Sequence, residues 1–448
     1  MTTFTLIPRE RVQQILGLAL PIMGGMLSQN ILNLVDTAMV GQLGAASVAA
    51  IGIGGFTNFF AISLILGLSA GVQAMAARRI GEGQSAIAAY ALNGGILMAL
   101  AGGIPLGLGL AWFAGDIFRI MVSDPAVAAA GTPYLQVRLL AAFAVGINFS
   151  FRGFWNGIKK SHIYMGTLVV MHIINISLNY VLIFGHYGFP RLGTMGAGLA
   201  SAISVVAGSL IYLVMGWRQV RPMGFLRRFP DQGTLGGLVR ISLPNGIQQL
   251  FFSAGLLTLF LIIEKIGTSE LAAANIIINI MLVGYLPGIA LGLAAATLVG
   301  QALGRQEFAD ASSWGCQVMW IGMLLLATIG IPMWLSPAEL MGVFIQGDGA
   351  AAVLSAGRVP LMITGGLMFL ESVGLVLMNA LLGAGDSRRV MQVSILLQWG
   401  LFLPGAALLV FLGYGLTAVW IANACYRTGL ALIFWYLWRQ GRWQSIKV

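Results

Sequence analysis

The residues that decide the fold lie near the N-terminus and read LALPIMGGMLSQNILNLVDTAMVG, residues 18–41. A helix that crosses a bilayer needs about 20 largely apolar residues, and this stretch supplies them. It contains one charged residue, Asp36. A charge at the centre of a bilayer costs about 2.5–3.5 kcal/mol on insertion scales, so it needs a partner, a water-filled cavity or a proton. The stretch therefore predicts a transmembrane helix that carries a functional acid.

The composition of the whole chain supports the same conclusion. Charged residues make up 8% of the 448 residues, whereas an ordinary soluble protein has about 25%. Apolar residues make up 58% and the mean hydropathy is +0.90. So few charges cannot cover the surface of a soluble protein of this size. The composition excludes a soluble enzyme, a disordered tail protein and a disulfide scaffold.

Apolar segments separated by charged, Gly-rich or Pro-rich breaks predict an all-α polytopic membrane protein with twelve transmembrane helices. No alternating ten-residue pattern of a transmembrane barrel interrupts them. The predicted helices cover residues 12–40, 46–75, 86–113, 132–155, 162–185, 195–218, 239–264, 269–300, 309–334, 352–382, 389–412 and 415–438.

Basic residues are confined to alternate loops, which predicts the orientation. The loop at 41–45 carries no charge, whereas the next loops hold Arg78 with Arg79 and Lys159 with Lys160. We therefore expect both termini in the cytoplasm and the chain in a bacterial inner membrane. The net charge of +10 is then a topology signal and not a nucleic-acid surface, with anionic lipid headgroups as its only additional partner.

An internal repeat divides the chain. Pro21 and Pro244 each follow a leucine in an apolar helix and lie 223 residues apart, and Gly44 and Gly267 have the same offset. Six crossings return the chain to the side where it started, so the repeat predicts two parallel six-helix lobes. Parallel repeats of this kind occur in secondary transporters, which bind substrate at the interface of the repeats.

The longest polar connection sets the predicted domain limits. We expect an N-terminal lobe at 1–218, a cytoplasmic linker at 219–238 and a C-terminal lobe at 239–448. Pro21 is the predicted hinge, because proline removes a backbone hydrogen bond from its helix.

Two acids, Asp36 and Glu371, lie deep in predicted helices. Each is predicted to be functional, and the alternative is a structural acid paired with an amide or with an arginine such as Arg152. Residues three or four apart share one face of a helix, so Gln29, Asn33 and Asp36 are predicted to form one polar stripe along the first helix. The alternative for the amides is plain hydrogen bonding between helices. The side chains predicted to line a substrate cavity with Glu371 are Gln29, Asn33, Tyr134, Asn148, His172, Ser201, Asn275 and Asn279.

No enzyme signature is present. The three histidines form no HExxH, no GxxxxGK[ST] phosphate loop occurs, and the two cysteines lie in apolar stretches without a CxxC spacing. We therefore expect no catalytic residue and no cofactor, and we exclude ATP-driven pumping by this chain alone.

Three segments carry a resemblance to a known family. They are LALPIMGG with NLVDTAMVGQLGAASVAA near the N-terminus, NISLNYVLIFGHYGFPRLGTMGAGLASA at 175–202 and LVGQALGRQEFADA at 298–311. Together they resemble the multidrug and toxic compound extrusion (MATE) family in its bacterial NorM-like and DinF-like branches. The resemblance covers essentially the whole chain. It implies a two-lobed antiporter that exports amphipathic, often cationic, organic compounds in exchange for protons or sodium by alternating access.

The resemblance also implies roles for single residues. Asp36 matches the first-helix aspartate of the family, Asn175 and Asn179 match the fifth-helix pair around it, and Glu371 matches the tenth-helix acid. These matches imply ion coupling at Asp36, Asn175 and Asn179. The seventh helix lacks the mid-span glutamate of many NorM-like members and has Ser253 nearby. That departure favours H⁺ as the coupling ion, with Na⁺ at Asp36 as the alternative.

Two other functions remain open from the sequence. A flippase for a lipid-linked substrate is the alternative within the same superfamily, but its relatives have a strongly basic cavity, and the mid-membrane acids here favour cationic cargo. An intramembrane enzyme lacks a nucleophile or metal constellation. We expect the lipid bilayer and small organic cations or drugs as the partners of a monomer.

Overall fold

The computed structural model describes residues 7–345, 347 and 349–447, and every regular element in those ranges is a helix. The predicted all-α fold is confirmed. Besides short 3₁₀ turns and a π-helical stretch at Leu396–Phe402, the helices are α1 (Arg9–Gly41), α2 (Ala45–Leu66), α3 (Leu68–Gly81), α4 (Tyr90–Trp112), α5 (Ala114–Met121), α6 (Pro125–Leu140), α7 (Ala142–Gly157), α8 (Ser161–Phe184), α9 (Thr194–Gln219), α10 (Gln232–Glu264), α11 (Thr268–Gly304), α12 (Phe308–Leu335), α13 (Pro337–Gly342), α14 (Ala350–Gly383), α15 (Ser387–Ile395), α16 (Leu403–Phe411) and α17 (Leu416–Gln440).

The described helices agree with the twelve predicted membrane spans. Eleven segments are long and apolar enough to cross a membrane, and α6 with α7 forms a twelfth across a bend of 50°. The predicted helix at 46–75 consists of α2 and α3, and the one at 389–412 consists of α15, the π-helical stretch and α16.

The bent span starts earlier than predicted. The breaks between apolar segments predict that it begins at residue 132. Instead α6 begins at Pro125, where Asp124 Oδ1 accepts a hydrogen bond from the Ala126 amide at 2.8 Å and caps the helix. Membrane helices tolerate proline because neighbouring groups satisfy the freed carbonyl.

The chain forms two compact units. One is Pro21–Gln249, and the other contains the described residues up to Leu20 and from Leu250 onward. The first boundary falls within α1 immediately before Pro21, and the second falls within α10 shortly after Pro244. The two prolines that mark the internal repeat thus lie at or near the points where a helix passes from one unit to the other.

In the Pro21–Gln249 unit, glycines allow backbones to touch. A Cβ atom at Gly67 would lie 2.2 Å from the carbonyl oxygen of Ser242, and one at Gly246 would lie 2.4 Å from that of Leu64. The N-terminal half of α10 therefore packs tightly on the junction of α2 and α3. Small residues permit this close approach where lipid supplies no hydrophobic driving force between helices.

In the other unit, glycines allow the same close approach between the backbones of α12 and α14. A Cβ atom at Gly330 would lie 2.3 Å from the carbonyl oxygen of Gly365. The start of α1 is fixed to this unit by Arg11, which donates to Asp310 and lies 4.4 Å above the ring of Trp314. The first three turns of α1 are thereby held against α12.

Candidate functional site

Asp36 lies in the second half of α1 and bonds to α8. Asn179 Nδ2 donates a hydrogen bond of 2.6 Å to Asp36 Oδ1. The side chain of Asn179 is completely buried and that of Asp36 is partly exposed. Asn175 and Asn179 stand one turn apart, so the helical repeat presents both amides on the face of α8 that meets Asp36.

A second amide and a hydroxyl extend the group to α9. Asn179 Nδ2 also donates to Asn175 Oδ1 at 2.9 Å, and Asn175 Nδ2 donates to Ser201 Oγ at 3.2 Å. Four residues singled out from the sequence thus form one hydrogen-bonded chain across α1, α8 and α9. We call Asp36, Asn175, Asn179 and Ser201 the acid–amide cluster.

The side-chain amide of Asn175 fits its surroundings with its oxygen and nitrogen in either order, and the two orders offer different groups to Asp36. With the amide turned over, its nitrogen donates to Asp36 Oδ1 at 3.0 Å, and its oxygen accepts from the amide nitrogen and the hydroxyl of Ser201, both at 3.2 Å. That orientation serves an ionised carboxylate, which only accepts hydrogen bonds. In the other orientation an oxygen of Asn175 faces Asp36, and a protonated carboxyl can donate to it.

The oxygen of Asn179 is also available to a ligand. Asn179 Oδ1 is buried and makes no hydrogen bond to the residues that the structure describes. Carboxylate and amide oxygens are the ligands that hard cations prefer. Asp36, Asn175 and Asn179 could therefore hold Na⁺, whereas the described chain brings together no three His, Cys, Asp or Glu side chains that would bind another metal.

Further polar residues precede Asp36 on α1. Gln29 Nε2 donates to Asn33 Oδ1 at 3.3 Å, and Gln29 Oε1 lies 3.3 Å from His172 Nε2 on α8. Gln29 and Asn33 are exposed, so this predicted stripe borders accessible space. Gln29, Asn33 and His172 thus form a second polar patch on the same pair of helices as the acid–amide cluster.

Arg138 is a charged residue of this region that the sequence analysis did not single out. It interacts electrostatically with Asp36, and its Nη1 donates to the hydroxyl of Tyr134 at 2.8 Å.

Asn148, predicted to line the cavity, instead bridges helices, because its Nδ2 donates to the carbonyl of Val205 at 3.0 Å and its Oδ1 accepts from Ser209 at 2.8 Å.

The second deep acid, Glu371 on α14, has a basic partner. Arg427 Nη1 on α17 lies 3.5 Å from Glu371 Oε2 and 3.3 Å from the hydroxyl of Tyr285 on α11. Arg152, the arginine named as a possible partner for a deep acid, donates to Ser69 Oγ at 3.0 Å and lies 4.1 Å above the ring of Phe149.

The remaining predicted pair lies on α11. Asn279 Nδ2 donates to the backbone oxygen of Asn275 at 2.9 Å and to its side-chain oxygen at 2.8 Å. Both residues are exposed. Their hydrogen bonds to described residues stay within one helix, so the structure shows a polar stripe here but no link to Glu371.

Arg138 and Arg427 could have been found from the sequence by the rule that identified the acids. Burying a charged side chain in a membrane helix costs free energy whether the charge is negative or positive. Basic residues within the spans are therefore candidates for functional sites in the same way as the acids. Tyr285 gave no such signal, because an isolated tyrosine is common in an apolar helix.

Comparisons with known proteins identify the family and the fold of this chain. The sequence model of the MatE family matches residues 21–181 and 244–408, and the two matches start 223 residues apart, which confirms the internal repeat. A probable multidrug resistance protein NorM of Rhizobium meliloti is 28% identical over 437 residues, covering 95% of this chain and 92% of the relative. One of Thermotoga maritima is 26% identical over 454 residues, covering 98% and 95%. The solved outward-facing structure of a multidrug resistance MATE family transporter superposes with a TM-score of 0.88 at 22% identity, covering 98% of this chain and 97% of that one, so the fold is shared.

Proposed function

This chain belongs to the MatE family of multidrug efflux transporters, and we propose that it exports amphipathic organic cations in exchange for protons bound at Asp36. The resemblance identified from the sequence is confirmed at the level of family and fold. The coupling ion, the cargo and the residues that serve them are the content of this proposal.

The observation that carries the proposal is the 2.6 Å hydrogen bond from Asn179 Nδ2 to Asp36 Oδ1. It places the acid of α1 against buried amides of α8 in a region of low dielectric. A proton gained or lost there changes the charge and the hydrogen-bond pattern of the same group. Asp36 thus has the partners that a proton-coupling residue needs.

The two orientations of the Asn175 amide provide a way for protonation of Asp36 to change the contacts between helices. Ionised Asp36 accepts hydrogen bonds from Asn179 and from the turned-over amide of Asn175. Protonated Asp36 donates to the oxygen of Asn175, whose nitrogen then bonds to Ser201. Protonation therefore changes the contacts of α1 with α8 and of α8 with α9. We expect this rearrangement to expel cargo from the N-terminal lobe.

Alternating access follows from the repeat. We propose that the lobes at 1–218 and 239–448 rock against each other, with residues 219–238 as a cytoplasmic tether and Pro21 as the hinge of α1. A neutral Asp36 makes closure of a lobe less costly than a charged one, because burial of an uncompensated charge is expensive. Protons would bind from the outside and leave towards the cytoplasm, where both termini lie.

Proton release on cargo binding tests the proposal. Purified protein in weakly buffered detergent solution is mixed with ethidium, and pH is followed with and without sodium. Proton coupling predicts release in both cases, and Asp36→Asn should abolish it. Asp116→Asn is the matched control, because Asp116 is an exposed acid paired with Arg119 at 3.6 Å.

The other outcomes are equally informative. Release of sodium, without protons, would identify Na⁺ as the coupling ion at the acid–amide cluster. Movement of phospholipid in vesicles with no binding of ethidium would instead support a flippase and overturn the proposal of drug export.

A further inference from the structure

The Glu371–Arg427 pair is an opposite-charge pair that the proposed ion coupling does not use. Its carboxylate is on α14, its guanidinium is on α17, and the tyrosine that completes the contact is on α11. The side chains of Arg427 and Glu371 are 17% and 11% exposed, so both reach accessible space. The three helices belong to one compact unit.

The guanidinium is only partly satisfied by these contacts. Arg427 Nη1 makes both of them, at 3.3 Å to Tyr285 and 3.5 Å to Glu371, and the geometry is not the bidentate fork that arginine forms with a tightly held carboxylate. Arg427 Nε is buried and has no hydrogen-bond partner among the described residues. A guanidinium has five N–H donors, so several remain for a ligand.

The guanidinium of Arg427 stays charged, because arginine is not deprotonated in proteins. A cation bound at Glu371 would therefore meet the repulsion of Arg427 at the same place. A ligand that carries an anionic group beside its cationic one would satisfy both members of the pair.

We propose that Glu371 and Arg427 form a subsite for zwitterionic cargo, in which Arg427 binds a carboxylate and Glu371 binds an ammonium group. This inference rests on the proposed export of organic compounds and specifies their class. Aromatic rings flank the charged groups, because Arg427 lies 5.5 Å from the ring centres of Tyr285 and Tyr426. Tyr426 in turn stacks on Phe402 at 5.0 Å, which gives the subsite a rigid apolar wall.

A matched pair of dyes tests the subsite. A rhodamine with a free carboxyl group is a zwitterion, and its methyl ester is a cation with the same ring system. Equilibrium binding of each dye to purified protein is measured by fluorescence anisotropy, which does not depend on ion coupling. The variants are Arg427→Gln, Arg427→Lys and the double variant Glu371→Gln/Arg427→Gln.

The controls separate recognition from folding. Arg358→Gln removes an exposed positive charge from the same unit and should leave both affinities unchanged. Breaking a buried pair leaves one charge uncompensated, so Arg427→Gln alone can destabilise the protein. The double variant removes both charges, and size-exclusion chromatography of each variant establishes that it is folded.

We expect Arg427→Gln to weaken binding of the zwitterion about tenfold or more, because the variant loses the charge-assisted hydrogen bond to the carboxylate of the dye. Its affinity for the ester should stay the same or rise. Arg427→Lys should retain part of the preference for the zwitterion, and the double variant should bind both dyes equally. Equal losses for both dyes, or no loss, in folded Arg427→Gln would overturn the subsite. Dye binding without ion-driven export would instead contradict the proposed function and leave the subsite standing.

Discussion

Asn179 Nδ2 donates to Asp36 Oδ1 at 2.6 Å and to Asn175 Oδ1 at 2.9 Å, so one buried amide joins the acid of α1 to the second amide of α8. Because the same nitrogen of Asn179 donates to Asp36 and to Asn175, a change in the charge of Asp36 alters both hydrogen bonds. Asn175 also reaches Ser201 on α9. The acid is thus connected to two further helices through a single chain of polar groups.

The first prediction concerns Asp36 itself. Asp36→Asn resembles the protonated acid in shape and cannot titrate, so the protein should fold and insert but lose ion-driven export. Dye export from proteoliposomes under an imposed pH gradient measures this, with Asp116→Asn as the control that retains export. Normal proton-coupled export by well-expressed Asp36→Asn protein would place the coupling site elsewhere.

The second prediction concerns the amide that holds Asp36. Asn179→Ala removes a hydrogen bond to a carboxyl group, an interaction of about 1.5–3 kcal/mol. We expect ion-driven export to fall about tenfold or more. Ser177→Ala on the same helix is the control, because Ser177 is exposed and donates only to the backbone oxygen of Ile173 at 2.8 Å. If both variants export at the same rate, Asn179 has no role in coupling.

The acid–amide cluster could be predicted because it follows local rules. Asn175 and Asn179 stand four residues apart on an apolar helix, and Asp36 is a lone charge in a lipid-crossing segment. The 3.6-residue period places such residues on one face of the helix. Contact of that face with lipid would cost free energy, so the face is expected to line the interior of the protein or a water-filled cavity. The number of spans could be predicted for the same reason, since about twenty apolar residues are needed to cross.

The partners across helices could not be predicted. Glu371 and Arg427 lie 56 residues apart in the chain, and no local pattern shows that α14 packs on α17. Asn148 has the sequence character of a cavity residue but bonds to α9, because the side that a helix presents to its neighbour depends on tertiary packing. The bend between α6 and α7 was missed as well, since no proline marks the break itself.

The third prediction concerns the charge of the second unit. Glu371→Gln leaves Arg427 without its counter-charge, so the local potential becomes positive and cations are repelled. Export of cationic dyes should fall about tenfold, while neutral compounds are affected less. Glu264→Gln, at an exposed end of α10, is the control and should leave both unchanged. Equal loss for cationic and neutral cargo would contradict a role of Glu371 in recognising charge.

The fourth prediction concerns a loop acid outside the spans. Burial raises the pKa of Asp386 above its ordinary value of 3.8, and Arg389, 3.2 Å away, opposes the shift. A raised pKa means that the folded protein binds the proton more tightly than the unfolded chain. The contribution of Asp386 to stability is therefore complete below pH 3.8 and is lost as the pH rises through the folded-state pKa.

The measurement compares thermal unfolding of the purified protein with Asp386→Asn across the acid range. The wild-type unfolding temperature should fall relative to that of the variant as the pH rises above 3.8, because the variant lacks the titrating group. A parallel pH dependence of the two proteins would show that Asp386 makes no net contribution. Asp231→Asn is the comparison with the opposite sign, since the hydrogen bond from Thr234 lowers the pKa of exposed Asp231.

The fifth prediction concerns motion of the lobes. Alternating access requires the distance between loops on one side of the membrane to change with pH or cargo. Tyr187 and Phe411 are exposed and belong to different units. Tyr187 follows α8 and Phe411 is the last residue of α16, at span ends that are predicted to face the outside. After replacement of the free cysteines Cys316 and Cys425, spin labels at these two positions report the distance by double electron–electron resonance.

We expect the distribution of distances to shift between high and low pH and again on addition of a cationic dye. Tyr187 and Trp112 are exposed residues of the same unit, and Trp112 ends α4 on the side that Tyr187 is predicted to face, so labels at this control pair should show no shift. In Asp36→Asn protein, the distance between the labels at Tyr187 and Phe411 should no longer change with pH but should still change when cargo is added, because only the titrating group has been removed. One unchanging distribution in transport-active protein would rule out rocking of the two lobes as the mechanism.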